Sequence, residues 1–141
     1  MEATHRLIVH GLMKVGGKYL ILKRTAIKRG KPNSFPNYWD IPGGMVEAGE
    51  LPTDAVIRET KEESNLDVVI KKIIHEDSNL DISKNMVFTR LVYLCEVMDE
   101  NISNIQLQAD EHEQYRLIDS LSEMAGEKLV DYVKEVLGKA D

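Results

Sequence analysis

Residues 44–66, GMVEAGELPTDAVIRETKEESNL, decide how the rest of this chain is read. Pro52 suits the first turn of a helix, where its missing N–H costs nothing. Asn65 can take the left-handed conformation that ends one. The spacing therefore predicts a helix from Pro52 to about Ser64, with Ala55, Val56 and Thr60 turned towards the core. On that helix Glu59, Glu62 and Glu63 crowd into one narrow acidic stripe. Like charges at such spacings cost roughly 0.2–0.5 kcal/mol per pair. Six carboxylates fall between Glu47 and Glu63, where a helix with no other duty would interleave lysines. A hard divalent cation such as Mg2+ needs clustered oxygens and removes their repulsion. The stripe points to phosphate chemistry.

Outward from the helix the pattern is that of a mixed α/β domain. On the N-terminal side, His5 to Val15 reads as a strand, Gly16-Gly17 as a hairpin turn and Tyr19–Leu22 as a second strand. Thr25 to Tyr38 holds Gly30, two prolines and two asparagines, which marks a long loop. Trp39-Asp40-Ile41 then forms a short strand that stops at Pro42-Gly43-Gly44. Beyond the helix, Val68–Ile74 and Asn85–Val97 read as antiparallel strands, Met98–Asn104 as a loop and Tyr115–Ile118 as a last strand. Leu129, Val130, Val133, Val136 and Leu137 repeat at helical spacing and predict a final amphipathic helix.

With 141 residues and 43% hydrophobic composition, the chain reads as one globular domain, 1–141, able to fold unaided. The lone Cys95 excludes an internal disulfide; in the apolar run Leu91–Cys95 it reads as a buried, inert thiol. No leader-like segment and no long apolar run is found, so the expected location is cytoplasmic. The net charge of −6 is unevenly spread: Ala3 to Trp39 holds no acid against eight basic residues. A basic segment facing an acidic one suits a substrate whose phosphates need both metal and cationic contacts, although Lys28–Lys31 reads equally as a solvated loop. The acidic balance and the lack of a binding motif argue against nucleic acid.

The quoted residues resemble the signature of the Nudix hydrolases, G-x5-E-x7-R-E-U-x-E-E-x-G-U, where U is aliphatic. Gly44, Glu50, Arg58, Glu59, Glu62 and Glu63 match outright, a coincidence of about one in ten million per window at ordinary residue frequencies. Leu66 fits the last aliphatic position, and Trp39–Gly44 looks like the family's lead-in. Two positions depart from the pattern. Thr60 replaces an aliphatic residue, and Asn65 replaces the closing glycine; neither touches the carboxylates.

That resemblance implies an α/β fold, a mixed β-sheet sandwiched between α-helices, with the box at residues 44–66. It implies Mg2+, with Mn2+ able to substitute, held by Glu59, Glu62, Glu63, Glu111 and the Gly43 carbonyl. It also implies hydrolysis of a phosphoanhydride in a nucleoside diphosphate linked to another group. Catalytic roles fall to Glu62, Glu63, Arg58, Glu50 and Glu111. The base that takes the water's proton stays open among Glu62, Glu63 and Glu111, and Glu50 and Arg58 serve equally as a structural salt bridge. Arg24 is the expected substrate contact, with Lys23 beside it on the opposite face of the strand; Trp39, which also reads as a core residue, joins Tyr38 and Phe35 as a stacking candidate among the substrate contacts.

Small size and the position of Glu111 favour a MutT-like enzyme that cleaves a nucleoside triphosphate, oxidised or not, to the monophosphate and pyrophosphate. ADP-ribose, nucleoside diphosphate sugars and dinucleoside polyphosphates are the alternative substrates, although Asn79–Lys84 lacks the proline or tyrosine marks of two of those subfamilies. A non-catalytic nucleotide sensor is a third reading, against which stands the intact set of acids. The expected partners are a small nucleotide, no nucleic-acid polymer and no membrane, with a homodimer open because dimers are common for the fold.

Overall fold

Alternating apolar side chains on paired strands build two cores in the computed structural model, which describes residues 3–139. Met1, Glu2, Ala140 and Asp141, included in the expected domain 1–141, lie outside the described residues. The expected first strand divides into β1 (Thr4–Leu12) and β2 (Lys14–Val15). The chain changes sheets at Met13: β1 pairs in parallel with a later strand, whereas β2 pairs with β3 (Lys18–Arg24). Gly16 and Gly17 join β2 to β3 with φ of 60° and 84°, positive values that a tight hairpin needs and glycine adopts freely.

The expected loop at 25–38 contains a small hairpin of its own. Its strands are β4 (Ile27–Lys28) and β5 (Lys31–Pro32), and Arg29 and Gly30 form the tip with φ of 52° and 77°. Next, β6 (Trp39–Asp40) pairs with β3. The chain does not stop at Gly44. Instead β7 (Gly43–Met45) pairs antiparallel with β1, and a Cβ on Gly43 would lie 2.1 Å from the Val9 carbonyl oxygen. Only glycine permits that approach.

Helix α1 spans Pro52–Ser64, as the spacing predicts, and Asn65 ends it at φ 66° with its N–H on the Lys61 carbonyl. The following strands are β8 (Val68–Asp81), β9 (Met86–Val97) and β10 (His112–Ile118), before α2 (Asp131–Lys139). β8 runs seven residues past its expected end at Ile74 because β9 continues to pair with it as far as Asp81↔Met86. Ser78–Thr89 and Asp77–Arg90 side-chain contacts fasten this polar end.

The sheets are β7-β1-β9-β8, with β1 and β9 parallel, and antiparallel β10-β3-β2. Successive residues of β3 point to opposite faces. Leu20 and Leu22 pack with Ala55 and Val56 of α1, while Tyr19 and Ile21 pack with Val133 and Leu137 of α2. The strands thus lie between two helices, and α1 is fixed through an apolar face that leaves its acidic face to the site.

The end of α1 can be tested directly. Asn65 Nδ2 also donates to the Asn104 carbonyl at 3.0 Å. Asn65→Ala loses this bond and strains the left-handed backbone, and we expect it to cost about 2 kcal/mol. Asn65→Gly loses only the bond and costs about half as much. Urea unfolding reads both as a lower midpoint at unchanged slope.

Candidate active site

The carboxylates of the box are organised by one guanidinium. Arg58 grips Glu50 with two parallel bonds, Nε to Oε2 at 2.8 Å and Nη2 to Oε1 at 3.0 Å. Its Nη1 donates to Glu59 Oε1 at 2.9 Å and to Glu62 Oε2 at 3.4 Å, and Nη2 also reaches the Met45 carbonyl at 3.2 Å. The planar fork suits this multiple grip in a way a lysine cannot. Arg58 and the Glu47 N–H together lower the Glu50 carboxyl to about 2. Gly44 belongs to the same construction, because a Cβ there would lie 2.7 Å from the Glu59 carboxylate.

Glu63 sits deeper, at 2% exposure. It accepts the Gly43 N–H at 3.1 Å and hydrogen-bonds to Glu59. Burial, that hydrogen bond and the charges of Glu59 and Glu111 push its carboxyl well above the ordinary range. Burial raises Glu59 as well. Two adjacent carboxyls screened from water lose their protons less readily than free ones.

Glu111 immediately precedes β10 and reaches the same place from outside the box. Glu63, Glu111 and His112 each offer a ligand atom within 4.8 Å of the others. The His112 Nδ1 is buried without a hydrogen-bond partner and lies 3.5 Å from Glu63 Oε1. Burial lowers the His112 imidazole to about 4. His112 stands outside the recognised motif, and its only sequence signal is adjacency to Glu111.

A cleft of about 720 Å3 opens over these groups, lined by Glu59, Glu62, Glu111, Arg24, Lys28 and Arg29 among others. Lys28 Nζ lies 2.6 Å from Glu111 Oε1. Arg24 is held by Asp40 Oδ2 at 3.1 Å, Asn33 Oδ1 at 3.1 Å and the Ser34 carbonyl at 2.7 Å. Behind it Asp40 accepts from the Tyr132 hydroxyl, which also meets His10 Nδ1 at 2.7 Å. The other two expected substrate contacts lie elsewhere. Trp39 is 1% exposed within the α2-side core, and Lys23, one residue from Arg24 along β3, is not part of the cleft wall. Phe35 does line the cleft and is 53% exposed, with Tyr38 edge-on to its ring. A second hollow of about 710 Å3, between β2, β8 and β9, contains none of the clustered acids.

A family model described as NUDIX domain matches residues 4–136. The chain belongs to the Nudix family. An ADP-ribose pyrophosphatase of Methanocaldococcus jannaschii is 32% identical over 90 residues, which are 64% of this chain and 50% of that protein. Nucleoside triphosphatase NudI of Escherichia fergusonii is 41% identical over 68 residues, 48% of this chain and 45% of that protein. The chain spans about half the length of these two relatives. The crystal structure of a MutT protein from Methanosarcina mazei Go1 has the same fold, with a TM-score of 0.74 at 22% identity, over 98% of this chain and 94% of that one. The Nudix fold is thus an α/β architecture with its strands between two helices. Cys95 is buried and its thiol is raised to about 12, which leaves it unreactive. No helix among the described residues is long and apolar enough to cross a membrane.

Nudix enzymes generally use a divalent metal, and the residues present here fit one. Carboxylates from α1 and Glu111 converge as hard oxygen donors, and the one guanidinium of Arg58 only partly balances Glu50, Glu59 and Glu62. Glu63→Gln tests this imbalance. The native fold keeps a proton on Glu63 that the unfolded chain has released, so native stability falls as pH rises from the ordinary carboxylate range through the raised folded value. Glutamine has no such loss. In chelator at pH 8 the variant is expected to melt higher than the parent, by roughly 2–4 °C per kcal/mol relieved, and the gain should vanish near pH 4.

Proposed function

We propose that the chain is a Mg2+-dependent pyrophosphohydrolase that cleaves a nucleoside triphosphate to the monophosphate and pyrophosphate. The observation that carries this reading is the convergence of Glu59, Glu63 and Glu111 beneath a cleft whose opposite wall is cationic. An isolated acidic helix has no need of Glu111, and a salt-bridge network has no need of a carboxylate as deeply buried as Glu63.

Glu59, Glu62 and Glu63 would hold the cation beside the Gly43 backbone, with Glu111 completing the set. When bound, the ion neutralises phosphoryl oxygens and eases deprotonation of water. The other steps belong to the chain. Arg58 keeps Glu59 and Glu62 in place, and Glu50 keeps Arg58 in place, so both act as positioning residues. Glu111 accepts the proton of the attacking water, since it reaches the cluster from the wall opposite α1. Arg29 and Arg90 line the cleft where the departing pyrophosphate needs cationic partners. Phe35 offers its exposed ring to the base.

ADP-ribose is the second reading, favoured by the relative of that name at 32% identity. A panel separates the two: nucleoside and deoxynucleoside triphosphates, oxidised forms, ADP-ribose, nucleotide sugars and dinucleoside polyphosphates, each with and without Mg2+. We expect Mg2+-dependent release of pyrophosphate from a triphosphate to dominate. Glu62→Gln and Glu63→Gln should lower kcat by about 10²-fold or more while the far-ultraviolet spectrum is unchanged. No turnover of any substrate with Mg2+ or Mn2+ would overturn the assignment, and near-normal rates in both variants would remove the metal site from it.

A further inference from the structure

The hairpin β4–β5 is built more firmly than a solvated loop. Arg24 ties Asn33 and Ser34 to Asp40, and Asn33 N–H returns to the Ala26 carbonyl at 3.0 Å. Thr25 joins its base to the Glu111 segment twice, N–H to the Glu111 carbonyl and Oγ1 to the Asp110 carbonyl, both at 3.0 Å. These bonds fix the hairpin without help from its charged residues. Yet Lys28 reaches Glu111 at 2.6 Å, and Arg29, at the tip, lines the same cleft with no carboxylate partner among the described residues. Two cations are therefore delivered to the rim of the acidic cluster by a hairpin that does not need them for its own stability.

Resting on the function proposed above, we propose that Lys28 holds Glu111 in the metal-free protein and moves onto the substrate's phosphates, beside Arg29, when the divalent cation arrives. An ammonium beside Glu111 supplies one positive charge to a cluster that also contains Glu59, Glu62 and Glu63. A dication among those oxygens supplies more charge at shorter range, and the two cations repel each other at the same carboxylate. Released from Glu111, the Lys28 ammonium remains tethered at the mouth of the cleft, where phosphate oxygens are its remaining counter-charge. Lysine suits this exchange: its compact charge rides on a flexible stem, whereas an arginine fork would stay clamped.

The test uses Mn2+ and inorganic pyrophosphate as probes, so its outcome does not depend on which nucleotide is cleaved. In nucleotide-free protein, Lys28→Met should bind Mn2+ about three- to tenfold more tightly, read from the electron paramagnetic resonance of the free ion. In Mn2+-saturated protein the same variant should bind pyrophosphate about tenfold more weakly by calorimetry, and Lys28→Arg, whose fork stays clamped on Glu111, should recover little of that loss. Unchanged or weaker Mn2+ binding in Lys28→Met overturns the proposal, as does unchanged pyrophosphate affinity. Should Lys28→Met not fold, Lys28→Gln makes the same comparison. A chain that binds both probes yet hydrolyses no nucleotide would contradict the proposed function while leaving this exchange judged on its own result.

Discussion

Arg58 holds together a group of carboxylates that would otherwise repel one another. Its guanidinium binds Glu50, Glu59 and Glu62 at once, and Glu59 in turn hydrogen-bonds to buried Glu63. One fixed positive charge among several negative ones gives partial compensation. Burial first, and then the neighbouring carboxylate charge that Arg58 leaves uncompensated, raises the Glu59 and Glu63 carboxyls. Burying Glu63 beside Glu59 costs stability, a cost that the proposed cation would offset. The two apolar cores offset that cost. Ala55 and Val56 anchor α1 beneath the strands, and the acidic face of the helix is held against the Gly43-Gly44 strand.

The same logic links the distant parts of the cleft. Asp40 stands between the Tyr132 hydroxyl of α2 and the guanidinium of Arg24, so the packing of the last helix reaches the hairpin that carries Lys28. Trp39, next to Asp40, locks this junction from the core side: its backbone N–H donates to the Lys128 carbonyl and its carbonyl accepts from the Val130 N–H. An aromatic residue beside a site is thus used here for packing, while the exposed Phe35 stands in the cleft.

What could be read from the sequence follows from which forces are local. The bounds of α1 were legible because Pro52 and Asn65 act on their own backbone, and the acidic stripe was legible because helical spacing alone defines it. β7 was not, since Gly43-Gly44 pairs with β1 only through close approach of two backbones far apart in sequence. The far half of β8 is polar, and its strand character comes from β9 and not from its own residues. Lys28 looked like part of a solvated run because its partner, Glu111, lies more than eighty residues away. Lys23 neighbours Arg24, but strand alternation already points it to the opposite face; Trp39 can stack on a base or fill the core, and only tertiary pairing puts it in the core. His112 gave no pattern to read; its significance lies in an unpartnered nitrogen beside Glu63.

The most direct test of the account is anomalous scattering from a crystal of the full chain grown with Mn2+. The account predicts a peak within bonding distance of the Glu59 and Glu63 carboxylates, with Arg58 still gripping Glu50 on the far side. A Mn2+-saturated crystal in which no peak touches either carboxylate, and Glu59 and Glu63 still face each other without an ion, would contradict it.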